Sequence, residues 1–300
     1  MTKILVADKM DQEALDALKA IPGFDVTYKT GLDEAALVQL VPGFAACVVR
    51  SATKITRPVI EAGKDLRVLV RAGIGLDNID CVAAKEKGIA VANTPAATSI
   101  SVAEHTFGLM LGMVRHHGQA NLSMKQHKWE KKLFEGTELY GKTLGIIGCG
   151  RIGLEVAKRA IAFGMTVVVY DVIPVKTDLA VKQVPLDELL AKADLITVHV
   201  PKQPQPILGP AEFAKMKKGV IIINVARGGV VDEKALLAGL SSGQVAGAAL
   251  DVYDKEPPED WTLIDHPNVT AIPHLGAAAI EGQRRAGLEV VRILKEKFAA

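Results

Sequence analysis

Thr143-Leu144-Gly145-Ile146-Ile147-Gly148-Cys149-Gly150-Arg151-Ile152-Gly153-Leu154-Glu155-Val156-Ala157-Lys158-Arg159-Ala160 decides how this chain is read. Up to Ile147 the residues are apolar and β-branched and read as a buried strand; from Leu154 the pattern is helical. Gly148, Gly150 and Gly153 take the three glycine places of G-x-G-x-x-G, and the strand before and helix after supply the context that dinucleotide fingerprint needs. In a chain with 27 glycines the spacing alone would mean little. Gly148 permits the tight turn, Gly150 lets backbone approach a pyrophosphate, and Gly153 lets helix and strand pack closely. The first turn of the helix then offers free N–H groups and a partial positive charge to the phosphates.

Asp171 follows the next apolar run, Val167–Tyr170, where a carboxylate usually accepts both hydroxyls of the adenosine ribose. It would repel a 2′-phosphate, and no arginine follows in Val172-Ile173-Pro174-Val175, so NAD rather than NADP is the expected cofactor. The plainer reading makes the glycines a structural turn and Asp171 a helix cap.

Outward from this turn, short β-rich runs alternate with helical patterns along the whole chain. Ile4–Ala7, Val26–Tyr28, Ala46–Val49, Val68–Val70 and Ala90–Ala92 form one series, with helices at Gln12–Ala20 and Glu34–Leu40. A second series begins near Thr143 and continues through Val167–Tyr170, Leu195–Val198, Val220–Asn224, Ala246–Leu250 and Val269–Ile272. Such alternation predicts an α/β fold of two doubly wound parallel-sheet domains. Thr98–Arg115 is apolar over most of a helical circumference and should be a buried helix at the domain junction. Glu281–Phe298 is helical with one polar face, and the Pro-rich patch 201–210 is expected to loop near the cofactor.

A length of 300 residues allows two cores, and 49% hydrophobic with 23% charged residues is ordinary globular composition. The formal net charge of +2 is spread over mixed signs, and pairs such as Lys131-Lys132 and Arg284-Arg285 are too short for a nucleic-acid or membrane footprint. Cys47, Cys81 and Cys149 lie far apart without metal-ligand spacing, which fits reduced thiols and no metal site. The N-terminus turns polar after one short apolar run, so neither a signal peptide nor a membrane span is expected, and the protein reads as soluble and cytoplasmic.

Past the fingerprint, three segments that follow predicted strands each carry one chemically useful residue: Arg227, Glu256 and His274. Loops after the carboxyl ends of parallel strands converge on a cofactor crevice. Oxidising a 2-hydroxy acid needs a cation for its carboxylate, a base for its hydroxyl proton and a cofactor to take hydride, which Arg227, His274 and NAD supply. Glu256 would hold the second imidazole nitrogen and raise the basicity of the ring. Singly, each has a bland alternative as a surface ion pair, a solvated acid or a satisfied histidine; beside a dinucleotide turn the set points to acid/base work.

With Leu144–Gly153, Asn224-Val225-Ala226-Arg227-Gly228-Gly229-Val230-Val231-Asp232-Glu233 and Pro273-His274-Leu275-Gly276 in this order, the chain resembles the D-isomer-specific 2-hydroxyacid dehydrogenases over essentially its whole length. Arg50-Ser51-Ala52-Thr53-Lys54, Arg71–Asp80, Asn93-Thr94-Pro95, Lys128-Trp129-Glu130 and Gly136–Leu139 are most similar to the branch that oxidises D-3-phosphoglycerate, the entry to serine synthesis. The resemblance implies a flavodoxin-like substrate domain at 1–95 plus 275–300 and a Rossmann NAD-binding domain at 96–274, closing on each other about hinges near 95 and 275. It implies catalysis by Arg227, Glu256 and His274, pyrophosphate contacts from Arg151 and Ile152, and a carboxamide contact from Asp251. It also implies a homodimer formed through the cofactor domain, for which Phe107–Val114 and the segment around Trp129 are candidates.

Arg50 and Ser51 are expected to reach the substrate phosphate or carboxylate, with Lys54 adding charge, and the loop Ala72-Gly73-Ile74-Gly75 to offer N–H groups to the carboxylate. Three places depart from the family pattern: Ile74 stands where relatives often carry Thr, Gln205-Pro206 replaces a Ser/Thr-rich stretch, and Ala277-Ala278-Ala279 replaces Ala-Ser-Thr. None removes a residue needed for the chemistry. Because the sequence stops at Ala300, just after the last helix, no serine-sensing domain and no inhibition by serine are expected. The rival readings are a sibling acting on glyoxylate, hydroxypyruvate or D-lactate, and an NAD-sensing corepressor on the same fold. Cys149 is either a small filler or an oxidisable thiol beside the pyrophosphate.

Overall fold

The computed structural model describes residues 1–298, which divide into two units: Met1–Ser101 with the segment from Ala277 onward, and Val102–Gly276. The first border falls inside the helix Ser99–Val114, whose continuous apolar surface carries no break that a sequence reading could use.

In the first unit, strands β1 (Thr2–Val6), β2 (Phe24–Tyr28), β3 (Ala46–Val49), β4 (Val68–Arg71) and β5 (Ala90–Asn93) form one parallel sheet in the order β2-β1-β3-β4-β5. A parallel sheet needs cover on both faces. Ile4, Val6, Val48 and Val70 face Leu15, Leu18, Val290 and Leu294, while Leu5, Cys47, Val49 and Leu69 face Leu37, Val59, Ile60 and Ala83. The helices Gln12–Lys19, Glu34–Leu40 and Cys81–Glu86 start at aspartates, with Asp11, Asp33 and Asp80 accepting the N–H groups of Ala14, Ala36 and Ala83.

In the second unit, β6 (Thr143–Ile147), β7 (Thr166–Tyr170), β8 (Val181–Gln183), β9 (Leu195–Val198), β10 (Val220–Asn224), β11 (Val245–Leu250) and β12 (Val269–Ala271) form a parallel sheet in the order β12-β11-β10-β9-β6-β7-β8. The order reverses between β6 and β9, which is where an open α/β sheet leaves a crevice outside its carboxyl ends. Sequence reading missed β8: its Val-Lys-Gln is short and lies on the sheet edge, with two of its side chains exposed, so it carries no apolar run.

The strand ends of this sheet share one register. Tyr170 pairs with Ile147, Ile147 with Val198, Val198 with Asn224, Asn224 with Leu250 and Leu250 with Ala271. The chain therefore leaves all six strands at one edge, and Asp171, Gly148, His199, Arg227, Asp251 and His274 all lie within the next three positions.

The helix Ser99–Val114 is buried over most of its circumference, with Val102, Ala103, Phe107, Leu109, Met110, Met113 and Val114 in the core, and leaves one strip, Ile100, Glu104 and Gly108, exposed. Phe107, Leu109, Met110, Met113 and Val114 are thus buried within the single chain, while Gly108 is exposed and Leu111 and Gly112 are half-buried. Trp129 is 81% exposed, with Leu133 and Tyr140 exposed nearby in sequence.

His199, just past β9, has its Nε2 3.0 Å from Thr197 Oγ1, and burial pushes its pKa down from 6.5 to about 3. The folded state holds this ring neutral whereas the unfolded chain protonates it, so its contribution is intact above pH 6.5 and is lost as the pH falls toward 3. The slope is at most about 1.4 kcal/mol per pH unit in that window. Thermal midpoints at pH 7.5 and 5.0 should therefore differ more in the native protein than in His199→Leu; an equal difference in both would contradict this account.

Candidate active site

The helix Arg151–Ala162 begins at Gly150, and no side chain caps it. The N–H groups of its first turn are therefore left for an external acceptor. A Cβ built on Gly150 meets nothing within 4 Å, so the approach to that turn is open. At Gly153 the same Cβ would lie 2.3 Å from the Gly148 carbonyl oxygen and 3.3 Å from Ile146 Cγ2, the close helix–strand contact expected from the fingerprint. Asp171 accepts the Cys149 N–H at 2.8 Å and the Ile173 N–H at 3.2 Å, which fixes its carboxylate beside the turn. An uncapped helix start, open space over Gly150 and an acid past the second strand fit a dinucleotide. Cys149 is buried, and burial followed by the charge of Asp171 pushes its thiol up to about 11, so at neutral pH it is a thiol and not a thiolate.

Three loops after adjacent strands converge on the other side of the switch point. Asn224, buried at the end of β10, accepts the Ala226 N–H at 3.1 Å and donates to the Arg227 carbonyl at 3.1 Å, holding the turn that carries Arg227. The Arg227 guanidinium donates to the Ala226 carbonyl at 2.7 Å. At Gly228 a Cβ would stand 1.8 Å from the Tyr253 carbonyl oxygen, so only glycine lets the Arg227 turn lie against the loop that carries Glu256. The Tyr253 hydroxyl donates toward the carbonyls of Leu250 and Ile272, tying the ends of β11 and β12 together. Burial pushes it up to about 12, so it stays a donor.

Glu256 accepts the Tyr253 N–H at 3.1 Å with one oxygen and meets His274 Nδ1 at 2.7 Å with the other. A carboxylate only accepts, so Nδ1 carries the proton, and in the neutral ring the lone pair is on Nε2. Both side chains are partly exposed, 49% for His274 and 37% for Glu256, which leaves the ring accessible. His274 sits at φ +52°, a left-handed conformation uncommon for a residue with a side chain. Behind it Asp251, wholly buried, accepts the N–H groups of Leu275 at 2.7 Å and Gly276 at 2.8 Å. Asp251 was expected beside a carboxamide; the engagement observed is with the backbone of the His274 loop.

In the first unit, Asp8 is buried and accepts the N–H of Arg50 at 2.6 Å, the N–H of Thr53 at 3.2 Å and the Thr53 hydroxyl at 2.7 Å. Asn78 donates to the carbonyls of Arg50 and Thr53 at 2.8 and 2.7 Å. Between them they fix the loop of Arg50 and Ser51. The Arg50 guanidinium donates to the Lys9 carbonyl oxygen at 3.5 Å and the Gln283 side-chain amide oxygen at 3.2 Å, and among the described residues no carboxylate pairs with it. The loop expected to offer N–H groups is corrected in part. Ala72 N–H donates to Val49 and Gly73 N–H to Arg71, because the chain continues the ladder and closes a tight turn there, which narrows the offer to Ile74 and Gly75. Asp8, Asn78 and Asn224 were not singled out from sequence. Their one signal is a position near the carboxyl end of a strand or in the loop beyond it.

The family profile of the D-isomer specific 2-hydroxyacid dehydrogenase NAD-binding domain matches residues 107–276. Among similar proteins, a hydroxypyruvate reductase of Thermotoga maritima is 50% identical over 98% of each chain. A D-3-phosphoglycerate dehydrogenase of Archaeoglobus fulgidus is 48% identical over 95% of this chain, which spans only 55% of that protein. A solved glyoxylate reductase of Paecilomyes thermophila superposes with a TM-score of 0.88 at 34% identity, over 98% of this chain and 94% of the other. The chain belongs to the D-isomer-specific 2-hydroxyacid dehydrogenases, NAD-dependent enzymes that act on small 2-hydroxy acids. Among the described residues no helix is long and apolar enough to cross a membrane.

Proposed function

From that membership we propose that the chain oxidises D-3-phosphoglycerate to 3-phosphohydroxypyruvate with NAD, the first step of serine synthesis, with His274 as acid/base. The observation that carries the chemistry is the 2.7 Å contact of His274 with Glu256, which leaves Nε2 as the accepting nitrogen. His274 Nε2 takes the C2 hydroxyl proton, the imidazolium that forms is stabilised by Glu256, and Arg227 orients the substrate carboxylate and polarises the forming carbonyl. NAD, when bound, supplies the acceptor for the hydrogen and electron pair leaving C2. In reduction, protonated His274 returns the proton to the carbonyl oxygen.

Gly148, Gly150, Arg151, Ile152 and Gly153 are assigned to the pyrophosphate, Asp171 to the ribose hydroxyls and Asp251 to the carboxamide region. Arg50, Ser51 and Ile74 are assigned to the substrate, with Gly73, its own N–H turned to Arg71, forming the turn that carries Ile74. Arg50 supports a phosphorylated acid, because an arginine that, among the described residues, meets only amide oxygens has its charge uncompensated toward an external anion. A second reading, hydroxypyruvate reduction, is favoured by the 50% identity to the Thermotoga reductase over 98% of both chains. We also assign a homodimer to the exposed segment of Trp129, Leu133 and Tyr140. Sedimentation should give twice the mass of one chain; a monomer at all concentrations would remove that assignment.

Substrate and cofactor are tested by NADH formation at alkaline pH with a carbonyl trap, run in parallel on D-3-phosphoglycerate, D-glycerate and D-lactate and repeated with NADP. The phosphorylated acid should give the highest kcat/KM, NADP should be the poorer cofactor, and Arg50→Ala should lower the phosphoglycerate value by about tenfold or more with little effect on D-glycerate. A native preference for D-glycerate would install the second reading.

A further inference from the structure

We infer that His105 is a positioning residue for His274, acting through Asp251; the inference rests on the acid/base reading of His274 given above. The Asp251 side chain is 1% exposed, and a carboxylate so placed needs polar partners on both oxygens. Two come from the backbone, the Leu275 N–H on Oδ1 and the Gly276 N–H on Oδ2. Facing it is His105 on the helix Ser99–Val114, whose Nε2 lies 3.2 Å from Oδ1. This Nε2 is itself buried, and it is not aligned for a hydrogen bond to any partner among the described residues, Asp251 included. A polar imidazole atom and a buried carboxylate oxygen therefore stand in contact.

The contact bears on His274 because the loop behind that residue has no slack. A Cβ built on Gly276 would lie 3.0 Å from Asp251 Oδ2 and 3.0 Å from Val225 Cγ1, so the backbone is pressed directly onto the carboxylate. His274 itself stands at φ +52°, a conformation that persists only where its surroundings hold it. The two N–H groups that hold it belong to the next two residues, and both end on the carboxylate that His105 faces. Thr106, beside His105, is wholly buried, with its hydroxyl satisfied by the Val102 carbonyl at 2.8 Å, so the helix is anchored in the core next to the ring. Without the imidazole, Asp251 would lose the ring packed at 3.2 Å against its Oδ1, and the carboxylate with the two N–H groups on it would gain room to shift. The imidazole of His274 would then be displaced relative to Glu256 and the substrate, and misplacement by about 1 Å can cost of the order of 100-fold in rate.

The test compares His105→Leu with His105→Gln, whose amide N–H stands in for Nε2, using NADH and the 2-oxo acid that the substrate panel selects. His105→Leu should lower kcat by about tenfold to a hundredfold, and His105→Gln should recover most of the loss. Amide exchange at Leu275 and Gly276, followed by NMR on the same proteins, should quicken in His105→Leu and return in His105→Gln. Should the leucine variant not fold, His105→Asn, whose amide is too short to reach Oδ1, takes its place. Native kcat in the variant, or a lowered kcat with unchanged exchange at both amides, overturns the inference. Glu256→Ala run alongside separates the two levels: a native rate there sinks the acid/base reading, whereas the exchange data judge the link from His105 to the loop without reference to catalysis.

Discussion

The common register of the second sheet is the constraint on which the rest depends. Parallel strands must satisfy their backbone groups sideways, and once Tyr170, Ile147, Val198, Asn224, Leu250 and Ala271 stand in one row, every connection begins at the same edge. The order of strands then decides which chemistry lies where. β6 and β7, on one side of the reversal, bring the glycine turn and Asp171; β10, β11 and β12, on the other, bring Arg227, Glu256 and His274. Slipping one strand along its neighbour would carry its loop out of this row and turn its buried side chains to the wrong face.

A row of strand ends does not by itself hold loops still, and a repeated device supplies that. Asp8, Asp171 and Asp251 each stand within two residues of the end of a strand and accept N–H groups from a following or neighbouring loop. Burying an unpaired carboxylate costs several kcal/mol, and hydrogen bonds to the charged form offset that cost. The same bonds leave each loop few alternatives, so the polar groups near the edge of the sheet do for the loops what apolar packing does for the strands. Asn78 and Asn224 add carbonyl-directed bonds of the same kind.

Much of this was legible in the sequence, for a physical reason. Strands buried on both faces must be apolar runs, a phosphate turn must have glycine at fixed places, and a helix buried over most of its circumference must be apolar there; each leaves a local trace. The 2.7 Å pairing of Glu256 with His274 was also foreseeable, since strand-end loops meet at one edge. What left no local trace was the support. His105 and Asp251 are 146 positions apart in the chain and meet only once the sheet has formed. The use of the Ala72 and Gly73 N–H groups inside their own unit depends on turn geometry that residue types do not dictate. β8 was hidden because an edge strand of three residues needs no apolar pattern.

The central claim is that the loop after β12 exists to present an imidazole whose Nδ1 is held by Glu256 and whose Nε2 moves a proton. It is tested most directly by measuring kcat and the dissociation constant for NADH together in His274→Ala. The account predicts a kcat lower by about 100- to 10,000-fold with NADH binding close to native. A variant that binds NADH normally and turns over at the native rate would contradict it.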